Sequence, residues 1–288
     1  MKTDNIAIFN DTLDIAKRGN YLCEGKKILL QISMEQMKEV QSFSPERIQQ
    51  LMDEEECTQT ASDDRGEIRT YVSGSDSYEA AISMKKRDPD RAADAPGVLV
   101  LNFANPVNPG GGVTRGANAQ EEDLCRRSTL YLSLTSEAAR EMYEYNAALR
   151  SYCSSDFMLL SPKVEIFKDS AGNPLPETFL VSVLTAAAPM VSYGGIEQKA
   201  LHDLLVHRIR AIFQVAASSG YRDLVLGAWG CGAFGKNPEN MDALFAQEVE
   251  RWNAAKHCPF RKIEFAVLRK KNRDSHNYNC FARYFPEK

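Results

Sequence analysis

Apolar and polar positions along the chain fall into two rhythms. Near the start, Ile6, Phe9, Leu13 and Ala16 recur at helical spacing, and Gly19 stands where such a helix would end. KKILLQI (26–32) is a short apolar run that predicts a strand. SPERIQQLMDEEE (44–56) predicts a second helix, with Ser44 before Pro45 in the N-cap and first-turn pattern. The polar stretch TQTASDDRG (58–66) predicts a surface loop. Residues 1–65 therefore predict a mainly helical extension packed on the core that the later residues form.

From residue 67 the pattern changes. EIRTYVSG (67–74) predicts a strand and DSYEAAISMKK a helix. GVLVLNFAN (97–105) and TFLVSVLTAAAP (178–189) are nearly continuous apolar runs, the mark of strands buried on both faces. EEDLCRRSTLYLSLTSEAAREMYEYNAAL has helical spacing. IEQKALHDLLVHRIRAIFQVAASSG predicts a long helix with a stripe of Leu201, Leu204, Leu205, Ile209, Ile212, Phe213 and Ala216, closed by Gly220. DLVLGAWGCGAFG (223–235) runs from a strand into a glycine-rich loop, and KIEFAVL (262–268) predicts a last strand. Apolar strands alternating with helices over 66–288 predict an α/β layered sheet covered on both faces. In such sheets ligands sit beyond the carboxyl ends of the strands. Two predicted strands, GVLVLNF and DLVLGA, end in glycine-rich loops; if they are parallel neighbours, both loops leave by one rim.

Composition narrows the function classes. The 288 residues carry 35 Lys and Arg against 39 Asp and Glu, a formal net charge of −4, which argues against general binding of nucleic acid or anionic membranes. Seven cysteines are scattered without a CxxC pair, as expected of a reducing, cytoplasmic setting. No metal site or cofactor is suggested: His202 and His207 are five apart, off the spacing that puts two ligands on one helix face. No signal-peptide core or membrane-spanning apolar stretch is expected.

The chemistry concentrates in NPGGGVTRGANAQEED (108–123). Gly110, Gly111 and Gly112 leave the backbone free to take positive φ and to present N–H groups as an anion nest before a helix N-terminus, a geometry that suits a diphosphate. The competing reading is a loop with no ligand. Gly230, Cys231, Gly232, Ala233, Phe234 and Gly235 repeat the logic after another buried strand, with Phe234 either contacting a sugar or base or filling the core. Asn118 and Glu121 read as a capping box, and Glu121, Glu122 and Asp123 in a first helical turn need no further reason than the helix dipole. A catalytic reading puts an acid beside the nest. Adjacent helical residues diverge by about 100°, so the two glutamates cannot flank one bond from opposite faces as ordinary glycosidase acids do.

NFANPVNPGGGVTRGANAQEEDLCRRSTLY resembles the GGG-X6–8-QEE signature of poly(ADP-ribose) glycohydrolases, here with seven residues between Gly112 and Gln120. GAWGCGAFG, TAAAP (185–189) and KRGNY (17–21) resemble the compact microbial form of that family, so the resemblance covers most of the chain. It implies a macrodomain-like three-layer α/β/α sandwich with a mixed sheet that binds ADP-ribose; separately from the resemblance, a monomer working without cofactor is expected. It implies Glu122 as catalytic acid, Glu121 on the ribose hydroxyls, Gln120 shaping that pocket and Asn105 on the distal ribose. It further implies Gly110–Gly112 and Gly230–Ala233 on the diphosphate, and Phe234 on the ribose or adenine side. Asp76 stands where macrodomains often place an acid for the adenine amino group, an ordinary helix N-cap being the competing reading. The substrate would be poly(ADP-ribose) or an ADP-ribosylated macromolecule, with ADP-ribose as product. Alternatives are a mono-ADP-ribosyl hydrolase and a non-catalytic ADP-ribose reader, the second disfavoured by the intact Gln120-Glu121-Glu122.

Overall fold

The computed structural model describes residues 2–57, 67–87, 97–190, 196–232, 238–269 and 273–288. The chain runs α1 (Lys2–Arg18), β1 (Asn20–Cys23), β2 (Lys26–Leu29), β3 (Gln41–Phe43), α2 (Pro45–Cys57), β4 (Arg69–Ser73), α3 (Ser77–Lys86) and β5 (Leu99–Phe103). It continues through α4 (Gln120–Arg127), α5 (Leu130–Leu134), α6 (Arg140–Leu149), β6 (Met158–Lys168), β7 (Pro174–Ala186), α7 (Gln198–Ser218), β8 (Asp223–Leu226), α8 (Pro238–Ala254), β9 (Lys262–Ala266) and α9 (Arg273–Phe281). Seven strands form a mixed sheet in the order β3-β6-β7-β5-β8-β9-β4, flanked by helices; β1 and β2 form a separate antiparallel pair. Among the described residues, no helix is long and apolar enough to cross a membrane, and no group of His, Cys, Asp and Glu is arranged to hold a metal.

The chain divides into two compact units. The first contains residues 1–42, 102–151 and 158–187. Its spine is the long antiparallel pair β6–β7, running from Met158↔Ala186 to Lys168↔Pro174 with register shifts after Ser161 and Ile166. The N-terminal segment packs here. Ile15, Tyr21 and Phe167 form one buried cluster, and Ala16, Ile32 and Met37 another. Fully buried Glu165 of β6 receives the Gln31 N–H at 2.8 Å and the Ile32 N–H at 3.3 Å. A strand residue thereby satisfies backbone donors of a segment that has no ladder of its own.

The second unit contains residues 43–101, 152–157 and 188–288. In it β5 and β8 are parallel (Leu99↔Leu224, Val100↔Val225), the condition set by the sequence for the strands that precede the two glycine-rich loops. β9 pairs in parallel with both β8 and β4. Rings fill its core: Phe265 stacks on Phe285 at 4.0 Å between centroids, and Phe260 meets Trp252 and Phe213 edge-on at 5.0 and 5.5 Å. The α7 stripe is buried from Leu205 to Ala216 as its periodicity predicts.

Two elements depart from expectation. The stretch expected as continuous helical spacing after Glu121 breaks into α4, α5, a 3-10 turn (Glu137–Ala139) and α6. The α4 helix stops because Ser128 turns extended and bridges Ile166 of β6. In α1 the buried positions are Phe9, Thr12, Ile15 and Ala16, so the stripe sits slightly off the one read from Ile6 and Leu13.

Candidate active site

After β5 the chain enters a tight loop. The Ala104 N–H bonds the Ala186 carbonyl at 3.2 Å. Asn105 then folds the turn on itself, its Oδ1 accepting from the Val107 N–H at 3.0 Å and the Asn108 N–H at 2.9 Å. Gly110 and Gly111 follow at φ +68° and +61°. Sterics forbid a side chain at any of the three glycines. A Cβ on Gly110 would lie 2.7 Å from the Tyr131 ring, on Gly111 2.5 Å from Glu122 Oε1, and on Gly112 2.8 Å from Ala117 Cβ. The glycine run is therefore a bed on which acids and an aromatic ring lie directly against backbone.

Helix α4 brings those acids. Its N-cap is Ala119 rather than Asn118; a methyl accepts nothing, so only the return half of a capping box forms, and Glu122, not Glu121, supplies it. The 3-10 turn Val113–Arg115 and left-handed Gly116 (φ +72°) carry the chain back, so the Ala117 N–H meets the Gly112 carbonyl at 3.1 Å. Asn118 turns its Oδ1 to Arg126, which donates at 2.7 Å, and so leaves the cap. Glu122 Oε2 accepts from the Ala119 N–H at 3.1 Å, and Oε1 from the Gly112 N–H at 2.8 Å.

Glu121 is bound from the other side. Its Oε2 accepts from the Asn105 N–H at 2.8 Å and its Oε1 from the Asn102 amide at 3.2 Å. The Gly110 N–H donates to the same carboxylate. Asn102 also donates to Thr185 Oγ1 at 3.3 Å. Gln120 Oε1 takes the Phe103 N–H at 2.9 Å. Each residue of Gln120-Glu121-Glu122 thus accepts from β5 or from the loop that follows it. The Gly111 N–H bonds the Asn108 carbonyl at 2.9 Å. All three glycine donors that the sequence offered to a diphosphate are engaged within this unit.

Burial and charge act together on this pair of acids. Glu121 is 3% exposed, and burial drives its carboxyl up to about 8; the Asn105, Asn102 and Gly110 donors pull it down, while the charge of Glu122 adds to the rise. Both carboxylates face one spot: the Cβ position of Gly111 is 2.5 Å from Glu122 Oε1 and 3.1 Å from Glu121 Oε2. They meet on one side of the loop, in keeping with the sequence expectation that neighbours on a helix do not flank a bond from opposite faces. Buried Tyr143 lies close enough to feel the charge of Glu121, and burial raises its phenol well above the ordinary value. Its hydroxyl and Asn102 Oδ1 take no hydrogen bond among the described residues.

Behind the acids, α4 is held by its own cations. Arg127, 2% exposed, pairs with Asp123 at 2.8 Å and donates to the Lys168 carbonyl at 3.3 Å. Arg126 donates to the Ala117 carbonyl at 2.6 Å. Acids at the first turn and arginines at the last complement the helix dipole. Asp123 serves this scaffold.

The remaining expected residues lie in the second unit. Asp76 caps α3, its Oδ1 accepting from the Tyr78 and Glu79 N–H groups at 2.9 and 2.8 Å, with a return bond from the Asp76 N–H to Glu79. In the second glycine loop Gly230 takes φ +77°, Cys231 is buried, and a Cβ on Gly232 would meet nothing within 4 Å. Ala233 and Phe234 lie outside the described residues. Asn102, Thr185, Tyr143 and Arg127 escaped sequence reasoning. Asn102 and Thr185 each left a trace, a polar residue inside an apolar strand run.

Fold and site together define a macrodomain-like α/β protein with a paired-glutamate helix set on a glycine bed. The family model for the microbial-type PARG catalytic domain matches residues 10–169, and the chain belongs to that family. The chain is 31% identical to poly(ADP-ribose) glycohydrolase (PARG) from Thermomonospora curvata, over 98% of this chain and 100% of that one, at a TM-score of 0.84. The same enzyme bound to the inhibitor ADP-HPD matches at 30% identity over the same shares, at a TM-score of 0.82. PARG from Deinococcus radiodurans in complex with ADP-ribose matches at 33% identity over 87% of this chain and 96% of that one, at a TM-score of 0.73. A search of curated proteins returned no match.

Proposed function

We propose that the chain is a poly(ADP-ribose) glycohydrolase that cleaves the ribose–ribose O-glycosidic bond and releases ADP-ribose. Membership of the microbial-type family supports the activity. The observation that carries the site is the meeting of Glu121 and Glu122 over the bare backbone of Gly111, where no Cβ separates acid from ligand. Glu122 acts as the acid. It protonates the leaving ribose oxygen, an oxocarbenium-like ribose forms next to the substrate's own diphosphate, and the resulting carboxylate takes a proton from the attacking water. One residue therefore does the proton work of two.

Glu121 binds ribose hydroxyls. Gln120 and Asn105 hold the pocket wall through the Phe103 N–H bond and the turn. Gly110–Gly112 give the diphosphate close access to backbone, and Gly230, Cys231, Gly232, Ala233 and Phe234 line the rest of the ligand. Asp76 binds the adenine amino group in addition to capping α3.

The test uses poly(ADP-ribose) and mono-ADP-ribosylated protein as separate substrates, without added metal. Release of ADP-ribose from the polymer by wild type, abolished in Glu122→Gln, is the expected result. Release only from the mono-modified protein would make the chain a mono-ADP-ribosyl hydrolase, and binding without turnover would make it a reader.

A further inference from the structure

Helix α1 was expected as part of an extension, yet three of its residues on one face touch α4 and the segments on either side of it. Asn5, Phe9 and Thr12 stand at i, i+4 and i+7, the spacing of a single helical stripe. Asn5 Nδ2 donates to the Gly116 carbonyl at 3.1 Å, at the turn that feeds the α4 N-cap. A Cβ on Gly116 would run into the Lys2 carbonyl, so the loop and the start of α1 are in direct contact. Phe9 meets Tyr131 edge-on at 4.8 Å, and the Tyr131 ring is the surface on which Gly110 lies. Thr12, 1% exposed, donates its hydroxyl to the Arg126 carbonyl in the last turn of α4.

The third contact is itself fixed by a buried charge. Lys168, with a fully buried side chain, donates to Thr12 Oγ1 and the Ile8 carbonyl, each at 2.9 Å, and pairs with Asp11 at 2.7 Å. A hydroxyl has one proton and two lone pairs. Lys168 fills an acceptor position of Thr12, whose hydroxyl reaches both the Ile8 carbonyl at 2.9 Å and the Arg126 carbonyl, one of the terminal carbonyls that α4 cannot satisfy internally. The ammonium also places positive charge at the end of the α4 dipole opposite Glu121 and Glu122.

We infer that Asn5, Phe9, Thr12 and Lys168 are positioning residues for the reaction: α1 sets the height and rotation of α4 and thereby the place of the Glu122 carboxylate over Gly111. Asn5 and Phe9 precede the segment that the family model matches, which begins at residue 10. The inference rests on the proposed function for its kinetic consequence only; the placement of Glu122 can be read without turnover.

The deciding variant is Thr12→Val, which keeps the side-chain shape and removes the hydroxyl, with Thr12→Ser as the conservative control. In the full chain, Thr12→Val is expected to lower kcat on poly(ADP-ribose) about tenfold while KM and the ADP-ribose Kd stay within about twofold, and Thr12→Ser to restore kcat. In the free protein, the Gly112 and Ala119 amide protons, which bond the two oxygens of Glu122, should exchange faster and move in 15N–1H spectra of Thr12→Val but not of Thr12→Ser. Wild-type kcat in Thr12→Val, or unchanged Gly112 and Ala119 amides, overturns the inference. A wild-type protein inactive on the polymer would sink the proposed function instead, and the amide comparison would still decide this one. Should Thr12→Val not fold, Asn5→Ala applies the milder disturbance at the other end of α4: a loss of about threefold in kcat is expected, and wild-type kcat with unchanged amides overturns the inference.

Discussion

Glu121 makes a prediction whose sign separates burial from simple charge pairing. Its carboxyl is raised from 4.5 to about 8, chiefly by burial, and every donor that reaches it is neutral. Between pH 4.5 and 8 the folded state therefore keeps a proton that the unfolded chain has lost. The stability this group confers is fully present below about 4.5 and is lost as pH rises through about 8, at a limiting slope of about 1.4 kcal/mol per pH unit. The whole shift corresponds to roughly 5 kcal/mol as an upper bound. Glu121→Gln removes the titration and keeps the shape. The introduced amide oxygen still accepts from the Asn105 N–H. Its NH2 faces Asn102, whose unpartnered Oδ1 can rotate in to accept. Urea unfolding of both proteins at pH 5, 6, 7, 8 and 9 is the assay. The variant should gain on wild type by about 1 kcal/mol per unit between pH 5.5 and 7.5 and level off above 8.5. A difference that is flat with pH, or that favours wild type increasingly as pH rises, would mean that Glu121 is held ionised by its donors and that burial does not govern it.

Two other residues give expected outcomes of their own. Gly111→Ala forces a Cβ to 2.5 Å from Glu122 Oε1 at a φ of +61°, so kcat should fall at least about a hundredfold while circular dichroism still reports a folded chain. Lys288→Ala strips the ion pair, 2.6 Å long, from fully buried Glu264 on β9 and should cost about 3 kcal/mol by urea midpoint without lowering ADP-ribose affinity measured by calorimetry.

Much of the architecture could be read from apolar runs because the central strands are buried on both faces. GVLVLNF and TFLVSVLTA carried that signal, and the α7 stripe carried its own. β1 and β3 did not: four and three residues, with Tyr21 their one buried position, leave no run to detect. β6 was hidden by Pro162, which reads as a strand breaker and is accommodated by the register shift after Ser161. The glycine run and the glutamates were legible as residue types, but their relation was not. The glycines were read as donors to a ligand; that their N–H groups bond Glu121, the Asn108 carbonyl and Glu122 was not legible. The cap was misplaced by one residue because the turn at Gly116 is set by α1, more than a hundred residues earlier in sequence. Lys168 and Arg127 look like surface cations in sequence; only the fold reveals that they are buried and paired.

The central claim is that Glu122 supplies the proton chemistry while the rest of the site binds. It is tested most directly by single-turnover release of ADP-ribose from poly(ADP-ribose), set beside calorimetric ADP-ribose binding, for wild type and Glu122→Gln. The variant should bind ADP-ribose with a Kd within a few fold of wild type and release product about 10²–10⁴ times more slowly. Release at the wild-type rate with binding intact would contradict the account and move the acid role away from Glu122.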